Sequence, residues 1–312
     1  MRFSLLIFLI VFSLNLHAEV MRVVFLGTGT PRLDIERFSQ SILIESGDER
    51  LLFDVGRGSA IRMSQANIPI QNIDKVFLSH LHSDHTIGMV DLIMTGWVYQ
   101  RKNKLKIFGP PGTEEFIYHI KEAFNEDIKI RISPPEEHNL SGLHTEVIEI
   151  KEGLIYEKEK LKVYSFRVDH GGGVKHAYGF KISNGEQTVV ISGDTNFSEN
   201  LIKNAMNCDL LIHEIADAPQ PVIEKNPKIQ GLMNYHTTPE EMDRILNRVK
   251  PRLTILTHIL ALGGITPDEI LTKIKTSTKY KFRIELAHDL MAVDVKEKFY
   301  IYSIDHLNAI KK

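Results

Sequence analysis

Short apolar runs recur along this chain, and their spacing switches between the two-residue repeat of strands and the 3.6-residue repeat of helices. Residues 20–26, 41–45, 51–54 and 75–79 are apolar runs bounded by Gly, Pro and Asp, which predicts strands. Over 113–124 the spacing predicts a helix with Phe116, Ile117, Ile120 and Phe124 on one face. Strands are predicted over 145–150, 161–168, 178–182 and 188–191, then a helix near 198–206 and a buried strand over 209–213. Thr238-Pro239-Glu240-Glu241 opens a further helix: Thr238 caps it, Pro239 fixes the first turn, and two carboxylates face its positive end. A strand over 253–257 and a helix over 267–274 follow. This order predicts an α/β fold of two sheets whose outer faces are covered by helices. Residues 132–142 and 217–235, rich in Pro, Asn, Gly and charge, read as surface loops. The second leads directly into His236, so it is a candidate wall of a site.

Composition narrows the function classes. Hydrophobic residues make up 43% and charged residues 25%, ordinary for a soluble globular protein. A net charge of -2 and a pI near 6.7 create no global field toward nucleic acid or an anionic membrane. Cys208 is the only cysteine, which excludes an internal disulfide and a thiolate-rich zinc knuckle. Its neighbours Leu210-Leu211-Ile212 predict a buried thiol. At the amino terminus, residues 3–16 are apolar except for Ser4, Ser13 and Asn15, and a membrane span needs about 20 such residues. With Arg2 ahead and Leu16-His17-Ala18 behind, they read as a signal peptide over 1–18, cleaved after Ala18. The mature protein would then be secreted or periplasmic with no membrane association. Leu16 is larger than such sites prefer, so an uncleaved anchor stays the alternative.

The densest chemistry lies in His80-Leu81-His82-Ser83-Asp84-His85, just after Val76-Phe77-Leu78. In an extended segment His80, His82 and Asp84 share one face. A turn after Asp84 would swing His85 into the same volume. Two imidazoles suit one divalent ion, and a carboxylate with another imidazole suits a second. His170, Asp194 and His258 each end a predicted strand. Singly, each could be a hydrogen-bonded loop residue or a cap, but their repeated placement at strand ends points to a shared crevice. Other signals are weaker. Gly27–Arg32 follows a strand but carries Arg32 where a dinucleotide loop needs its third glycine, so it reads as a tight turn near the site. Trp97 and Tyr99 suit a pocket or the core, and Lys102, Lys104 and Lys106 a solvated strand face. No Gly-x-Ser-x-Gly elbow or phosphate-binding P-loop occurs.

Taken in order, Leu26–Pro31, Phe53-Asp54-Val55-Gly56, His80–His85, His170, Ser192-Gly193-Asp194-Thr195 and His258 resemble the metallo-β-lactamase superfamily. The likeness spans nearly all of 19–312. His176-Ala177-Tyr178-Gly179, Leu211-Ile212-His213-Glu214 and His236-Thr237-Thr238 make it most similar to the ribonuclease Z and arylsulfatase-like branch. The run from Ser83 to Trp97 looks more arylsulfatase-like. The resemblance implies one hydrolase domain over 19–312 with an αββα sandwich: two mixed β-sheets packed face to face, helices on the outer faces. It implies that His80, His82 and His170 hold one metal, that Asp84, His85 and His258 hold another, and that Asp194 bridges both. His176 is a rival for the place of His170, which directly ends a strand. True β-lactamases of the fold lack such a bridging Asp.

By the same resemblance His236 would donate a proton to the leaving group, Glu214 would orient it, and Asp84 would also orient the attacking water. Two ions about 3.5–4 Å apart can share a hydroxide and polarise the electrophile. The cofactors expected are two divalent ions: zinc by default, with manganese or iron tolerated. The expected function is a secreted hydrolase of a small phosphate or sulfate ester, phosphodiesterase- or arylsulfatase-like. The alternative is a ribonuclease Z-type endonuclease that processes tRNA 3′ ends. Against it stand the leader, the missing basic patch, and the 24 residues between His170 and Asp194, where short ribonuclease Z forms carry a substrate arm. Nucleic acid is therefore open as a substrate but not favoured. Similar enzymes often form homodimers, and the sequence leaves that open. A non-catalytic metal-binding protein is the remaining alternative, which the full set of ligands and the proton donor argue against.

Overall fold

The computed structural model describes residues 20–277 and 282–304. The amino-terminal half lays down β1 (Met21–Gly27), β2 (Ser41–Ser46), β3 (Glu49–Phe53), β4 (Lys75–Phe77), β5 (Leu105–Gly109) and β6 (Thr145–Glu149). Then come β7 (Gly153–Lys158), β8 (Leu161–Val168), β9 (Ala177–Ser183), β10 (Thr188–Ile191), β11 (Leu210–Asp217), β12 (Leu253–Ala261) and β13 (Ile284–Leu286). The chain returns as β14 (Met291–Val295) and β15 (Tyr300–Ser303). One sheet runs β15-β14-β1-β2-β3-β4-β5-β6 and the other β13-β12-β11-β10-β9-β8-β7. Each mixes antiparallel hairpins with parallel pairs, β3–β4–β5–β6 in the first and β10–β11–β12–β13 in the second.

The alternation of side chains explains the layers. Between the sheets, Phe53, Phe77 and Phe108 stack from three adjacent strands at 4.8 Å, and Phe180 of the second sheet meets Phe53 at 5.3 Å. On the outer face of the first sheet, Met63, Met89, Leu92, Trp97 and Ile117 from helices cover Leu43, Leu52 and Ile107. On the outer face of the second, Leu201, Ile245, Leu246 and Ile270 cover Val190, Leu211 and Leu256. The αββα sandwich is the fold expected. Thr238 forms the full capping box with Glu241, and Ser198 caps the helix Glu199–Ala205.

Three local expectations need correction. The helix Ser83–Thr86 begins before Asp84 rather than after it, so Asp84 and His85 lie on a helical turn. The predicted loop over 217–235 is largely structured: β11 continues to Asp217, and two helices follow, Gln220–Lys225 and Pro227–Met233. The second starts because the Asn226 side chain accepts hydrogen bonds from the Lys228 and Ile229 amides, with Pro227 in the first turn. The predicted loop over 132–142 ends in a 3₁₀ turn, Leu140–Leu143, capped by Asn139. Trp97 is core, whereas Tyr99 is exposed. Cys208 is buried, and burial, reinforced by Asp209, pushes its thiol up to about 12. No helix among the described residues is long and apolar enough to cross a membrane. The signal peptide expected over 1–18 lies outside the described residues.

Candidate metal centre

Three strand ends and two strand interiors at one edge of the sandwich deliver the reactive side chains, near the carboxyl ends where α/β sheets bind ligands. His80 and His82 follow β4, His170 follows β8, Asp194 follows β10, Glu214 lies in β11 and His258 in β12. Two local features aim them. In the β11–β12 pairing Glu214 faces Thr257 and Ile215 faces Ile259, so His258 is an extra residue in a bulge. Its φ of 44° turns the imidazole out of the ladder. Gly193, at φ 62°, carries the chain past Tyr178, whose carbonyl oxygen would lie 2.5 Å from any Cβ there. Only glycine fits both demands, and Asp194 comes next.

The geometry brings all nine sequence-predicted site residues into one cluster, buried except at His82, which is exposed. His82 Nδ1 lies 2.9 Å from His80 Nε2 and 3.2 Å from His170 Nε2. Asp84 Oδ2 lies 3.1 Å from His258 Nε2 and 3.5 Å from His85 Nε2. Asp194 Oδ2 sits between the two groups, 3.3 Å from both His85 and His258 and 3.9 and 4.0 Å from His170 and His80. His236 Nδ1 is 3.3 Å from Glu214 Oε1. His236 Nδ1 makes no hydrogen bond, so the contact acts through charge. His176 belongs to none of these groups and instead borders a groove beside His80 and His82.

Electrostatics follow from burial. Loss of water, with His85 close by, pushes His80 well below its ordinary pKa, and His82 and His170 are lowered for the same leading reason. Burial alone would raise the Asp194 carboxyl, yet the imidazoles of His258, His85 and His80 hold it well below the carboxylate range. Burial likewise opposes charge on His236, but Glu214 outweighs it and lifts the imidazole to about 9.

The donor set fits divalent metal ions. His85 Nε2 is buried without a hydrogen-bond partner while facing two carboxylates, and lone-pair nitrogens crowd within about one hydrogen-bond length of each other. His80, His82 and His170 form one set that could hold an ion, and Asp84, His85 and His258 another. Chelation of this kind needs neutral imidazoles and ionised carboxylates, the states that the shifts of His80, His170 and Asp194 favour.

Behind the ligands, Asp54 and the Tyr235 carbonyl take roles that the sequence does not assign, alongside Glu214, which it does. Asp54, at φ 54° after β3, accepts from His85 Nδ1 at 2.8 Å and from the Ser79 amide and hydroxyl, also at 2.8 Å. It directs the His85 Nδ1 proton away from the centre and leaves Nε2 free. The Tyr235 carbonyl does the same for His170 at 3.2 Å. Glu214 Oε1 accepts from the Thr195 and Thr237 amides, which clamps both the Asp194 and the His236 segments. Asp54 had a signal, an acid directly after an apolar strand. The Tyr235 carbonyl had none.

Comparison with known proteins agrees with this geometry. The family model described as anti-Pycsar protein Apyc1 matches residues 21–242. A ribonuclease Z of Mycobacterium sp. (strain KMS) is 31% identical over 286 residues, covering 88% of this chain and 96% of the relative. A ribonuclease Z of Mycobacterium bovis (strain BCG / Pasteur 1173P2) is 28% identical over 282 residues, with 88% and 99% covered. Among solved structures, the metallo-β-lactamase fold protein YhfI from Bacillus subtilis superimposes with a TM-score of 0.66 at 20% identity, covering 88% of this chain and all of that one. Human tRNase Z, short form, gives 0.66 at 22% identity, with 88% and 99% covered.

Proposed function

Because the chain belongs to the anti-Pycsar protein Apyc1 family and to the ribonuclease Z-like metallo-β-lactamase superfamily, we propose that this metal-dependent ester hydrolase cleaves phosphodiester bonds of nucleotide substrates. The observation that carries the reading is Asp194 Oδ2, which lies within 4.0 Å of four imidazoles drawn from two separate ligand sets. His80, His82 and His170 would hold one divalent ion, Asp84, His85 and His258 a second, and Asp194 would touch both. Zinc suits this nitrogen and oxygen set, and manganese or iron would be tolerated. Ions so held supply Lewis acidity toward phosphoryl oxygens and lower the pKa of a nearby water.

The chain's own residues complete the chemistry. With Nδ1 turned to Glu214, His236 keeps Nε2 to hand a proton to the departing alkoxide. Glu214 holds that imidazole protonated, since its charge outweighs the opposing burial. Asp84, on a rigid helical turn, orients the attacking water as well as contributing a ligand.

The ribonuclease Z relatives weigh toward an RNA phosphodiester and away from the sulfate ester that the sequence alone favoured. A small nucleotide diester is the second reading. What favours it is the direct passage from His170 through β9 and β10 to Asp194, with no inserted arm among the described residues. A leader over 1–18 would support the same side, since export separates the enzyme from tRNA; the mass of the secreted protein's amino terminus tests that. The activity test is a panel of precursor tRNA with a 3′ trailer, a cyclic nucleotide, bis(p-nitrophenyl) phosphate, p-nitrophenyl phosphate and p-nitrophenyl sulfate, with and without chelator. Chelator-sensitive diester cleavage is expected, and precursor tRNA against the small diesters separates the two readings. Turnover of the sulfate with no diester cleaved would overturn the proposal.

A further inference from the structure

Beside His80 and His82 lies a groove of about 240 Å³ that the chemistry above does not use. Leu81, Pro110 and Pro111 form one side, and Val174, Lys175 and His176 the other. Both walls are braced. Gly112 donates to Glu149 at 2.7 Å, and Thr113 bonds the Pro110 carbonyl through its hydroxyl at 2.6 Å. Opposite, Arg167 donates to the Lys175 carbonyl at 2.7 Å, and the Val174 amide to Gly171 at 2.8 Å. Such bracing marks a preformed cleft rather than a loose loop.

Its chemistry is mixed in a definite way. Two proline rings and Val174 give flat apolar walls. Lys175 is exposed and makes no ion pair among the described residues. His176 has a buried Nδ1 with no partner. A buried lone pair is tolerated better than a buried unpaired N–H, so the proton belongs on Nε2, which the ring then offers as a donor. Pockets for drug-sized ligands run from about 300 to 1,000 Å³, so this groove admits one ring system and excludes a folded stem.

Resting on the phosphodiesterase reading, we infer that this groove is a nucleobase subsite. The base inserts between the proline pair and Val174, its carbonyl or ring nitrogen accepts from His176 Nε2, and Lys175 faces the adjoining phosphate. His176 and Lys175 thereby set specificity without joining the reaction.

The test is calorimetric titration of the full-length, zinc-loaded protein with uridine 5′-phosphate, adenosine 5′-phosphate and ribose 5-phosphate. A seated base adds one hydrogen bond and some apolar burial, about tenfold in affinity, so both nucleotides should bind that much more tightly than the base-free sugar phosphate. His176→Ala should reduce this advantage to about twofold. Lys175→Gln should weaken all three ligands together. Leu81→Ser, at an exposed wall position, is the second probe and should also cut the base advantage. No advantage in the wild type, or an advantage that survives both His176→Ala and Leu81→Ser, would overturn the inference. Base-selective binding by a protein that cleaves no diester would reject the proposed activity alone, and cleavage without base selectivity would reject the subsite alone.

Discussion

Strand β3 begins with one buried acid, Glu49, and is followed by another, Asp54, and the two behave differently. At its start Glu49 accepts from Tyr156 at 2.6 Å, pairs with Lys75 at 3.0 Å and bonds Lys158. Burial would raise its carboxyl, but Lys158, Tyr156 and Lys75 together hold it down at about 2. Just past the other end Asp54 spends its bonds on Ser79 and His85, and the cluster beyond it stays incomplete. There His85 Nε2, His236 Nδ1, His258 Nδ1 and Glu214 Oε2 are all buried without a hydrogen-bond partner. One end is a polar network that satisfies itself and so serves stability. The other keeps polar atoms unpaired at a cost of about 1–3 kcal/mol each, which is tolerable where a bound ion or substrate answers them.

The largest effects should come from the incomplete end. His82→Ala should lose bound metal and abolish turnover, read by metal analysis alongside the diester assay; full metal content in that variant would break the contrast. His236→Ala should keep its metal yet lose about 10²–10⁴ in kcat, the range of a missing general acid. Metal loss there would move His236 from proton donor to ligand. Asp54→Asn, which alters the support of His85 and Ser79 but no ligand itself, should lower metal affinity or activity by about 10–100-fold.

At the satisfied end the expected effect is smaller and falls on folding. Glu49→Gln should cost about 1–2 kcal/mol at neutral pH and leave kcat unchanged, measured by denaturant titration. The sign follows from a folded pKa near 2 against 4.5 when unfolded. The ionised carboxylate stabilises fully above pH 4.5, and that contribution disappears as the pH falls toward 2. Wild type and variant should therefore converge in acid. A gap that persists near pH 2 would assign the loss to packing instead.

How much of this was legible in the sequence depended on how local the cause was. Helix starts at Thr238 and Ser198, and strands that end just before His170 and Asp194, follow from nearest neighbours, whereas β12 runs on past His258 to Ala261. The bulge at His258 does not, because it exists only relative to β11. β14 and β15 are not legible because they are short and gain their place by pairing, β14 with β1 far back in the chain and β15 with β14. The helices within 217–235 were hidden behind Pro and Asn, read as loop formers although here they serve as a cap and a first turn. Asp54 was visible as a residue, but not as the partner of His85, 31 positions away.

The central claim is that the clustered imidazoles and carboxylates of His80, His82, Asp84, His85, His170, Asp194 and His258 cage metal, and stoichiometry tests it most directly. Protein stripped by chelator and titrated with zinc should take up two ions per chain and regain diester cleavage as the sites fill. Full activity in the stripped protein, or no saturable uptake of zinc, would contradict the account.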